Sequence, residues 1–172
     1  MKPRFGPVEP LTAQHRAAGF DCGSRAQSDW LTEHALQAHR SGGSRVYVVC
    51  DAEDMDFPVV GYYALAAGSI APAVAPSRLL RGAGKYHQPV VILTRLGVDT
   101  RVQGSGLGRA LVVDALRRVA VASETIGVRA LLIHCESESA RQFYLGLARF
   151  EQSPSDPMHL VLLLKDLRRA LR

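Results

Sequence analysis

The stretch Val98-Asp-Thr-Arg-Val-Gln-Gly-Ser-Gly-Leu-Gly-Arg-Ala-Leu111 connects a strand-like apolar run, residues 90–98, to a helix-like run, residues 107–122. Its glycines, Gly104, Gly106 and Gly108, alternate where the strand has to turn into the helix. Glycine adopts backbone angles that other residues avoid and lets a ligand approach closely. A helix N-terminus adds unpaired N–H groups and the positive end of the helix dipole. The stretch therefore predicts an anion site, for phosphate or pyrophosphate.

The spacing of these glycines separates the known classes of phosphate-binding loop. A P-loop is excluded because no lysine follows the glycines. The dinucleotide fingerprint G-x-G-x-x-G is excluded because Arg109 stands where its third glycine is needed. A protein-kinase loop is excluded because the chain has no H-R-D motif. What remains is the pattern Gln103-x-x-Gly106-x-Gly108, or else an ordinary glycine-rich turn.

Two motifs resemble those of the GNAT N-acetyltransferases. Gln103-x-x-Gly106-x-Gly108 resembles the family's Q/R-x-x-G-x-G/A loop, which grips the pyrophosphate of acetyl-CoA. Ser137-x-x-Ala140-x-x-Phe143-Tyr144 resembles its N-x-x-A-x-x-F-Y motif, with serine in place of asparagine. The segment 143–150 is one residue longer than the family's Phe-Tyr-x-x-x-Gly-Phe.

This resemblance implies an α/β (α+β) fold, with a mixed, mostly antiparallel central sheet flanked by helices and splayed strands that hold acetyl-CoA. It implies a single acetyltransferase domain over residues 1–172. The implied acetyl-CoA contacts lie at the end of the strand, in the loop, and at the starts of two helices: Leu96, Gly97, Val98, Gln103, Gly104, Ser105, Gly106, Leu107, Gly108, Arg109, Ala110 and Ser137.

A narrower resemblance covers almost the whole chain. Four segments look like the GNAT toxins of bacterial type II toxin–antitoxin modules: Phe20-Asp-Cys-Gly23, Trp30-Leu31, Val60-Gly-Tyr-Tyr-Ala-Leu65 and Ser153-Pro-Ser-Asp-Pro-Met158. Those enzymes acetylate the α-amino group of aminoacyl-tRNA, which blocks translation. The resemblance implies the same substrate, a small ribbon-helix-helix antitoxin as partner, and a homodimer.

Tyr144 resembles the family's general acid. A phenol, with a pKa of about 10, stays protonated when a thiolate with a pKa of roughly 8.5 leaves. The alternative for Tyr144 is a core tyrosine with a satisfied hydroxyl. Backbone N–H groups of Leu96 to Val98 are candidates for stabilising the oxyanion.

No residue stands out as a dedicated general base. An α-amine, with a pKa of about 7.7–8.0, is already partly neutral and needs little help. Glu136 and Glu138 are possible proton acceptors, or else charges at a helix N-terminus. Cys135 is not expected to act as a nucleophile with His134, since neighbouring strand residues point to opposite faces. Of Tyr62 and Tyr63, the same alternation predicts one in the acceptor cleft and one in the core.

The formal net charge is +5, with a pI of about 9.4. A central group of cations forms a candidate RNA-binding surface, which can bind a polyanion by releasing its counterions. A solvated basic face is the equal alternative. The candidate RNA contacts are Arg78, Arg81, Lys85 and Arg95.

The remaining composition excludes other classes. No run approaches the roughly 18 apolar residues of a membrane span, and residues 1–7 lack the apolar segment of a signal peptide. Three distant cysteines indicate a reducing, cytoplasmic setting. No metal site is expected, since His34 and His39 are poorly spaced for one.

Two rival hypotheses for the function remain: a GNAT acting on a small amine or protein N-terminus, and a non-catalytic acyl-CoA-binding module.

Apolar periodicity predicts the elements along the chain. Helices are expected over residues 10–19, 28–40 with Ser28 as the N-cap, 107–122 and 138–147. Strands are expected over residues 45–50, 59–67, 90–98, 128–135 and 158–164.

Overall fold

The computed structural model describes residues 4–172. Residues 1–3 belong to the expected domain and to the segment considered as a signal peptide, and they lie outside the described residues. Within residues 4–172, seven strands and six α-helices follow one another. The strands are β1 (Glu9–Pro10), β2 (Arg45–Cys50), β3 (Val59–Ile70), β4 (Gln88–Val98), β5 (Ala130–His134), β6 (Glu151–Gln152) and β7 (His159–Leu163). The helices are α1 (Arg25–Glu33), α2 (Ala35–Ser41), α3 (Ser77–Leu80), α4 (Leu107–Ala122), α5 (Glu138–Leu145) and α6 (Leu164–Ala170).

The strands form one sheet in the order β1-β2-β3-β4-β5-β7-β6. The pairs β1–β2, β2–β3, β5–β7 and β6–β7 are antiparallel, whereas β4 and β5 run parallel. The expected α/β (α+β) fold, with a mixed and mostly antiparallel sheet, is confirmed. None of the helices within residues 4–172 has the length and apolar character needed to cross a membrane.

The described chain divides into two compact units. One comprises residues 4–66 and 95–114, and the other residues 67–94 and 115–172, so the division falls within β3, β4 and α4. Each unit has its own apolar core. The first is built around Phe20, Leu31, Val46, Val48 and Tyr62, and the second around Leu79, Val90, Ala130, Leu132 and Val161. A single domain over the whole chain stays a prediction.

Helix α4 begins and ends at the residues that its apolar pattern predicts. One face of the helix, formed by Leu107, Leu111, Ala115, Leu116 and Val119, is buried throughout. The start of the helix lies close to the sheet at Gly61. A Cβ there would come within 3.0 Å of Leu111 Cδ1 and 3.1 Å of Leu107 Cδ2, so glycine is what permits the contact.

Several predicted boundaries are wrong. Residues 10–19 contain the end of β1 and turns rather than a helix, because the Thr12 N–H donates to His15 Nδ1 and the His15 N–H donates to the Thr12 carbonyl, which closes a local turn. The helix predicted over residues 28–40 is split at His34, whose backbone leaves the helical region, into α1 and α2. Its N-cap is Ser24, which accepts from the Gln27 N–H, and not Ser28. The short strand β6 and helix α6 were not expected.

Candidate active site

The loop between β4 and α4 requires glycine at two positions. Gly104 and Gly106 have φ angles of 80° and 87°, a left-handed conformation that L side chains rarely adopt. A Cβ on either would meet no atom within 4 Å, so the loop surface is open. The Gly106 carbonyl accepts from the Ala110 N–H at 3.1 Å and begins α4. Exposed backbone thus leads directly into the N-terminus of a 16-residue helix, as an anion site needs.

Buried Asp99 fixes the chain just before this loop. Its carboxylate accepts hydrogen bonds from Arg101 Nε at 2.8 Å and Nη2 at 3.0 Å, and from the Asp21 N–H at 3.2 Å. Burial favours a raised pKa, but the hydrogen bonds from Arg101 and Asp21 outweigh it and hold the pKa of Asp99 below its usual value. The Arg101 guanidinium is therefore held in an ion pair with the Asp99 carboxylate.

The side chains of the loop brace it internally. Gln103 Nε2 donates to the carbonyls of Cys22, at 3.0 Å, and Val98, at 2.9 Å. The Ser105 hydroxyl donates to the Val102 carbonyl at 2.6 Å. Gly104, Ser105, Gly106, Arg109 and Ala110 are exposed, Gly108 is half-buried, and Leu107 is buried. These contacts occupy the Gln103 amide nitrogen and the Ser105 hydroxyl, while the backbone from Gly104 to Gly106 stays exposed.

The end of β4 continues past the part of the strand that pairs with β5. The register runs from Val90↔Ala130 to Leu93↔Ile133, and β4 then extends to Val98. Within this extension Gly97 is buried, and a Cβ there would lie 3.1 Å from Tyr62 Cε1 and 3.2 Å from Cys22 Sγ. Leu96 and Val98, on either side, are half-buried.

Tyr144 is a buried phenol on α5, with a side chain 6% exposed. Its ring meets Phe143 and Phe150 edge to face, with centroids 5.2 Å and 6.1 Å away. Among residues 4–172 its hydroxyl has no hydrogen-bond partner, which argues against a core tyrosine with a satisfied hydroxyl. Burial, then the charges of Cys135 and Glu136, raise the pKa of Tyr144. The phenol therefore holds its proton throughout the physiological range.

Ser137 caps the N-terminus of α5, and Glu138 lies in the first turn of that helix. Ser137 accepts from the Ala140 N–H at 3.1 Å, so its oxygen caps the helix. Glu138 Oε1 accepts from Arg141 Nη1 and Gln142 Nε2, both at 2.9 Å. The Gln142 hydrogen bond is the main cause of a lowered pKa at Glu138; desolvation opposes it, and the charge of Arg141 and its hydrogen bond add to the lowering. This arrangement favours the helix-terminus role for Glu138 over that of a base.

The four candidate RNA contacts have different surroundings. Arg78 Nη1 donates to Glu151 at 2.6 Å and to Asp166 at 2.7 Å. Arg95 lies over the Trp30 ring at 5.2 Å and donates to Gln27 Oε1. The side chains of Arg81 and Lys85 are exposed and have no partner within the described chain.

No protein-family model matches the sequence. A curated relative, the "tRNA-acetylating toxin" of Mycobacterium tuberculosis (strain ATCC 25618 / H37Rv), is 46% identical over 149 residues, which are 87% of this chain and 86% of that protein. The chain belongs to the family of tRNA-acetylating toxins. A second member, the "Probable toxin TacT" of Sinorhizobium fredii (strain NBRC 101917 / NGR234), is 30% identical over 90% of this chain and 89% of its own.

Solved structures of other toxins share the whole fold. A tyrosine-to-phenylalanine mutant of KacT superposes with a TM-score of 0.88 at 29% identity, covering 97% of this chain and 99% of its own. AtaT complexed with acetyl-methionyl-tRNAfMet gives 0.86 at 30% identity, covering 96% of this chain and 99% of that chain. Membership of this family identifies the protein as an acetyltransferase.

Some features of this acetyltransferase were beyond sequence reasoning. Tyr62 and Tyr63 are both fully buried, so neither lines an acceptor cleft as one of them was expected to do. The Tyr62 hydroxyl donates to the Gln27 carbonyl at 2.6 Å, and that of Tyr63 donates to the Asp114 carboxylate. The partner acceptors lie far away in sequence, so no local pattern could reveal them.

Glu9, His15 and Cys50 also meet in the first unit. Their potential ligand atoms lie within 4.8 Å of one another. His15 Nδ1 accepts from the Thr12 N–H at 2.9 Å, which leaves the ring proton on Nε2, 2.8 Å from Glu9 Oε1. A metal-binding histidine instead usually donates its second N–H to an oxygen. The cluster therefore has the geometry of a histidine–carboxylate hydrogen bond.

Proposed function

We propose that this chain transfers the acetyl group of acetyl-CoA to the free α-amino group of aminoacyl-tRNA, which would block translation. The observation that carries the proposal is the Tyr144 phenol, buried and without a hydrogen-bond partner in the described chain. A buried phenol held protonated is suited to give its proton to the coenzyme A thiolate as the thioester breaks.

The loop from Gln103 to Gly108 supplies the second requirement, a place for the pyrophosphate of acetyl-CoA. Its open, left-handed glycines and the N-terminus of α4 fit an anion with several oxygens. AtaTR has been crystallised with acetyl-CoA, and its matching chain shows 28% identity and a TM-score of 0.80. In our proposal Gln103 and Ser105 hold the loop, and backbone N–H groups at its open face bind the phosphates.

The acceptor amine needs to be neutral before it can attack. An α-amine, with a pKa of about 7.7–8.0, needs no strong base near neutral pH. Glu138 is occupied at the helix terminus, so it does not serve as a dedicated base in the proposed reaction. An α-amino acceptor fits this arrangement better than a lysine side chain, whose pKa is about 10.4.

The basic residues that remain available support a polyanionic substrate. We assign RNA phosphate contacts to Arg81, Lys85 and Arg95, with Arg95 held by Trp30 and Gln27. Arg78 is left out of the proposed contacts, because its guanidinium already lies between two carboxylates.

Two solved complexes of related toxins support an antitoxin as the partner of this chain. AtaT has been solved bound to the C-terminus of the antitoxin AtaR, and KacTA with DNA. We propose that the chain is neutralised by such an antitoxin, of the ribbon-helix-helix type that the sequence resemblance implies, and that it acts in the cytoplasm as a homodimer.

The decisive experiment measures labelled acetyl transfer from acetyl-CoA to bulk charged tRNA. Uncharged tRNA, a polyamine and a peptide with a free N-terminus serve as parallel acceptors. Label confined to charged tRNA, and reduced by Tyr144→Phe, is the expected result. Label on the polyamine or peptide alone would overturn the proposal in favour of a small-amine or N-terminal acetyltransferase.

A further inference from the structure

An exposed tyrosine stands in a cationic loop just before β4. Residues 81–87 read Arg-Gly-Ala-Gly-Lys-Tyr-His, and the Tyr86 side chain is 80% exposed. Gly82 and Gly84 adopt φ angles of 72° and 71°. A Cβ on Gly84 would lie 3.8 Å from Tyr86 Cδ2, so the ring edge rests beside the Gly84 backbone. The loop turns twice at glycine and displays an aromatic ring to solvent.

The base of this loop is tied to the protein interior. Gln88 is buried, and its Nε2 donates to the carbonyls of Tyr86, at 2.8 Å, and Ala83, at 3.3 Å. The other end of the amide, Oε1, accepts from Arg129 Nη1 at 3.1 Å, and Arg129 Nη2 in turn donates to the Leu79 carbonyl at 2.9 Å. These hydrogen bonds fix the backbone of the loop, so the exposed Tyr86 ring is attached to an ordered backbone.

The segment 81–87 contains two cations, Arg81 and Lys85, and no acidic residue. Arg81 and Lys85 are exposed, and within residues 4–172 neither they nor the Tyr86 hydroxyl has a polar partner. An aromatic ring between unpaired cations suits a ligand with π faces and phosphates. Every nucleobase offers a π face, and unpaired bases are the ones free to stack on an aromatic side chain.

We propose that Tyr86 stacks on an unpaired nucleobase at the 3′ end of the charged tRNA while Arg81 and Lys85 contact the neighbouring phosphates. This inference rests on the proposed function, and it adds a residue that recognises the nucleotide rather than the amino acid. Tyr86 binds substrate here and takes no part in the proton transfers.

The first measurement is steady-state acetylation of bulk charged tRNA by wild type, Tyr86→Ala, Tyr86→Leu and Tyr86→Phe. We expect Tyr86→Ala and Tyr86→Leu to raise KM for charged tRNA about tenfold, the loss expected for one base–aromatic stack. Because the chemistry is untouched, kcat should change little. Tyr86→Phe keeps the ring and should restore the wild-type KM. Ile126→Ala is the matched control, since Ile126 is 64% exposed in a segment with no adjacent cation.

Salt dependence separates the ring from the cations. For single strands, the slope of log affinity against log salt falls by about 0.7 for each phosphate contact removed. We expect Lys85→Gln and Arg81→Gln each to reduce the slope by that amount, and Tyr86→Ala to leave it unchanged. A slope altered by Tyr86→Ala alone would contradict the stacking role.

Binding of a fluorescein-labelled, uncharged oligonucleotide ending in CCA tests the stack without acetyl transfer. The expected result is an affinity about tenfold weaker for Tyr86→Ala than for wild type or Tyr86→Phe. If charged tRNA is not acetylated but this difference is found, the proposed function fails and the stacking surface stands. If acetylation occurs but neither KM nor oligonucleotide affinity responds to Tyr86→Ala, the stacking inference is overturned. It is likewise overturned if Ile126→Ala weakens binding as much as Tyr86→Ala does. Polyglutamate serves as a second ligand that mimics an acidic protein segment. Binding of polyglutamate but not of the oligonucleotide would also overturn the inference.

Discussion

The side-chain amide of Gln103 donates a hydrogen bond of 2.9 Å to the carbonyl oxygen of Val98, at the end of β4. The same nitrogen donates to the Cys22 carbonyl at 3.0 Å. Gln103, the first residue of the loop motif, therefore ties the loop to the preceding strand. In the proposed function, Gln103 contributes to acetyl-CoA binding by positioning the backbone that follows it.

Removing this tie should weaken acetyl-CoA binding. We expect Gln103→Ala to raise KM for acetyl-CoA about tenfold, because one or two hydrogen bonds of about 1 kcal/mol each no longer hold the loop in place. Since Gln103 does not touch the reacting atoms in this proposal, kcat should change much less. The exposed Gln152 in β6 supplies a control, Gln152→Ala. A tenfold loss in kcat with unchanged KM would contradict the positioning role.

Tyr144→Phe should remove catalysis without destabilising the fold. Loss of a positioned proton donor costs about 10²- to 10⁴-fold in rate, so we expect kcat to fall at least a hundredfold. Because no hydrogen bond is lost, Tm should stay the same or rise. Tyr62→Phe is the control variant and should have the reverse effects, since the Tyr62 hydroxyl donates a hydrogen bond to the Gln27 carbonyl at 2.6 Å. It should cost about 1 kcal/mol of unfolding free energy and leave kcat within severalfold of wild type.

The pH dependence of kcat follows from the raised pKa of Tyr144. Burial holds the phenol in its protonated form beyond its ordinary pKa, so no falling limb should come from this acid up to pH 9. Activity should rise with pH as the acceptor α-amine loses its proton, with a midpoint at or below about 8. Initial rates between pH 6 and 9 provide the measurement. A decline in kcat above pH 8, with substrate intact, would show that the phenol ionises earlier than its environment implies.

The pairing of Arg78 with Asp166 predicts a stability effect instead of an RNA effect. The Asp166 side chain is 1% exposed, so Arg78→Met would leave a buried carboxylate without its partner. We expect Tm to fall by about 5–10 °C. The double variant Arg78→Met, Asp166→Asn should recover part of this loss. The variant Arg81→Met, which breaks no ion pair in the described chain, should leave Tm unchanged.

Low pH should weaken the ion pair between Arg78 and Asp166. The Arg78 hydrogen bond is the main cause of a lowered pKa at Asp166, against the opposing effect of desolvation. A carboxyl whose pKa is lower in the folded state stabilises the fold above its unfolded pKa of about 3.9 and loses that contribution as pH falls through the folded value. The difference in Tm between wild type and Arg78→Met should therefore shrink between pH 5 and pH 2. A difference that stays constant over that range would contradict the assigned pairing.

The features that could be predicted from sequence are those with short-range causes. Helix α4 follows from apolar spacing on one face, and its start follows from Gly104 and Gly106. The partners of Arg78 could not be found this way, because Glu151 and Asp166 lie 73 and 88 residues further along the chain. The same limit explains why Arg78 resembled Arg81 in sequence, although only Arg81 is unpaired in the described structure. Basic clustering predicts charge, whereas tertiary contacts decide which charges remain available.

The backbone conformation of Gly106 gives a test of the loop itself. Alanine at a φ of 87° costs about 1 kcal/mol in backbone strain, although the position has space for a Cβ. Relief of that strain would turn the Gly106 peptide and the start of α4 away from their present orientation. We therefore expect Gly106→Ala to raise KM for acetyl-CoA about fivefold, the equivalent of about 1 kcal/mol, and to leave KM for charged tRNA unchanged. Gly127→Ala is the matched control, since that position is equally open and has no positive φ. Equal effects of the two substitutions on KM would show that the left-handed turn has no part in holding the cosubstrate.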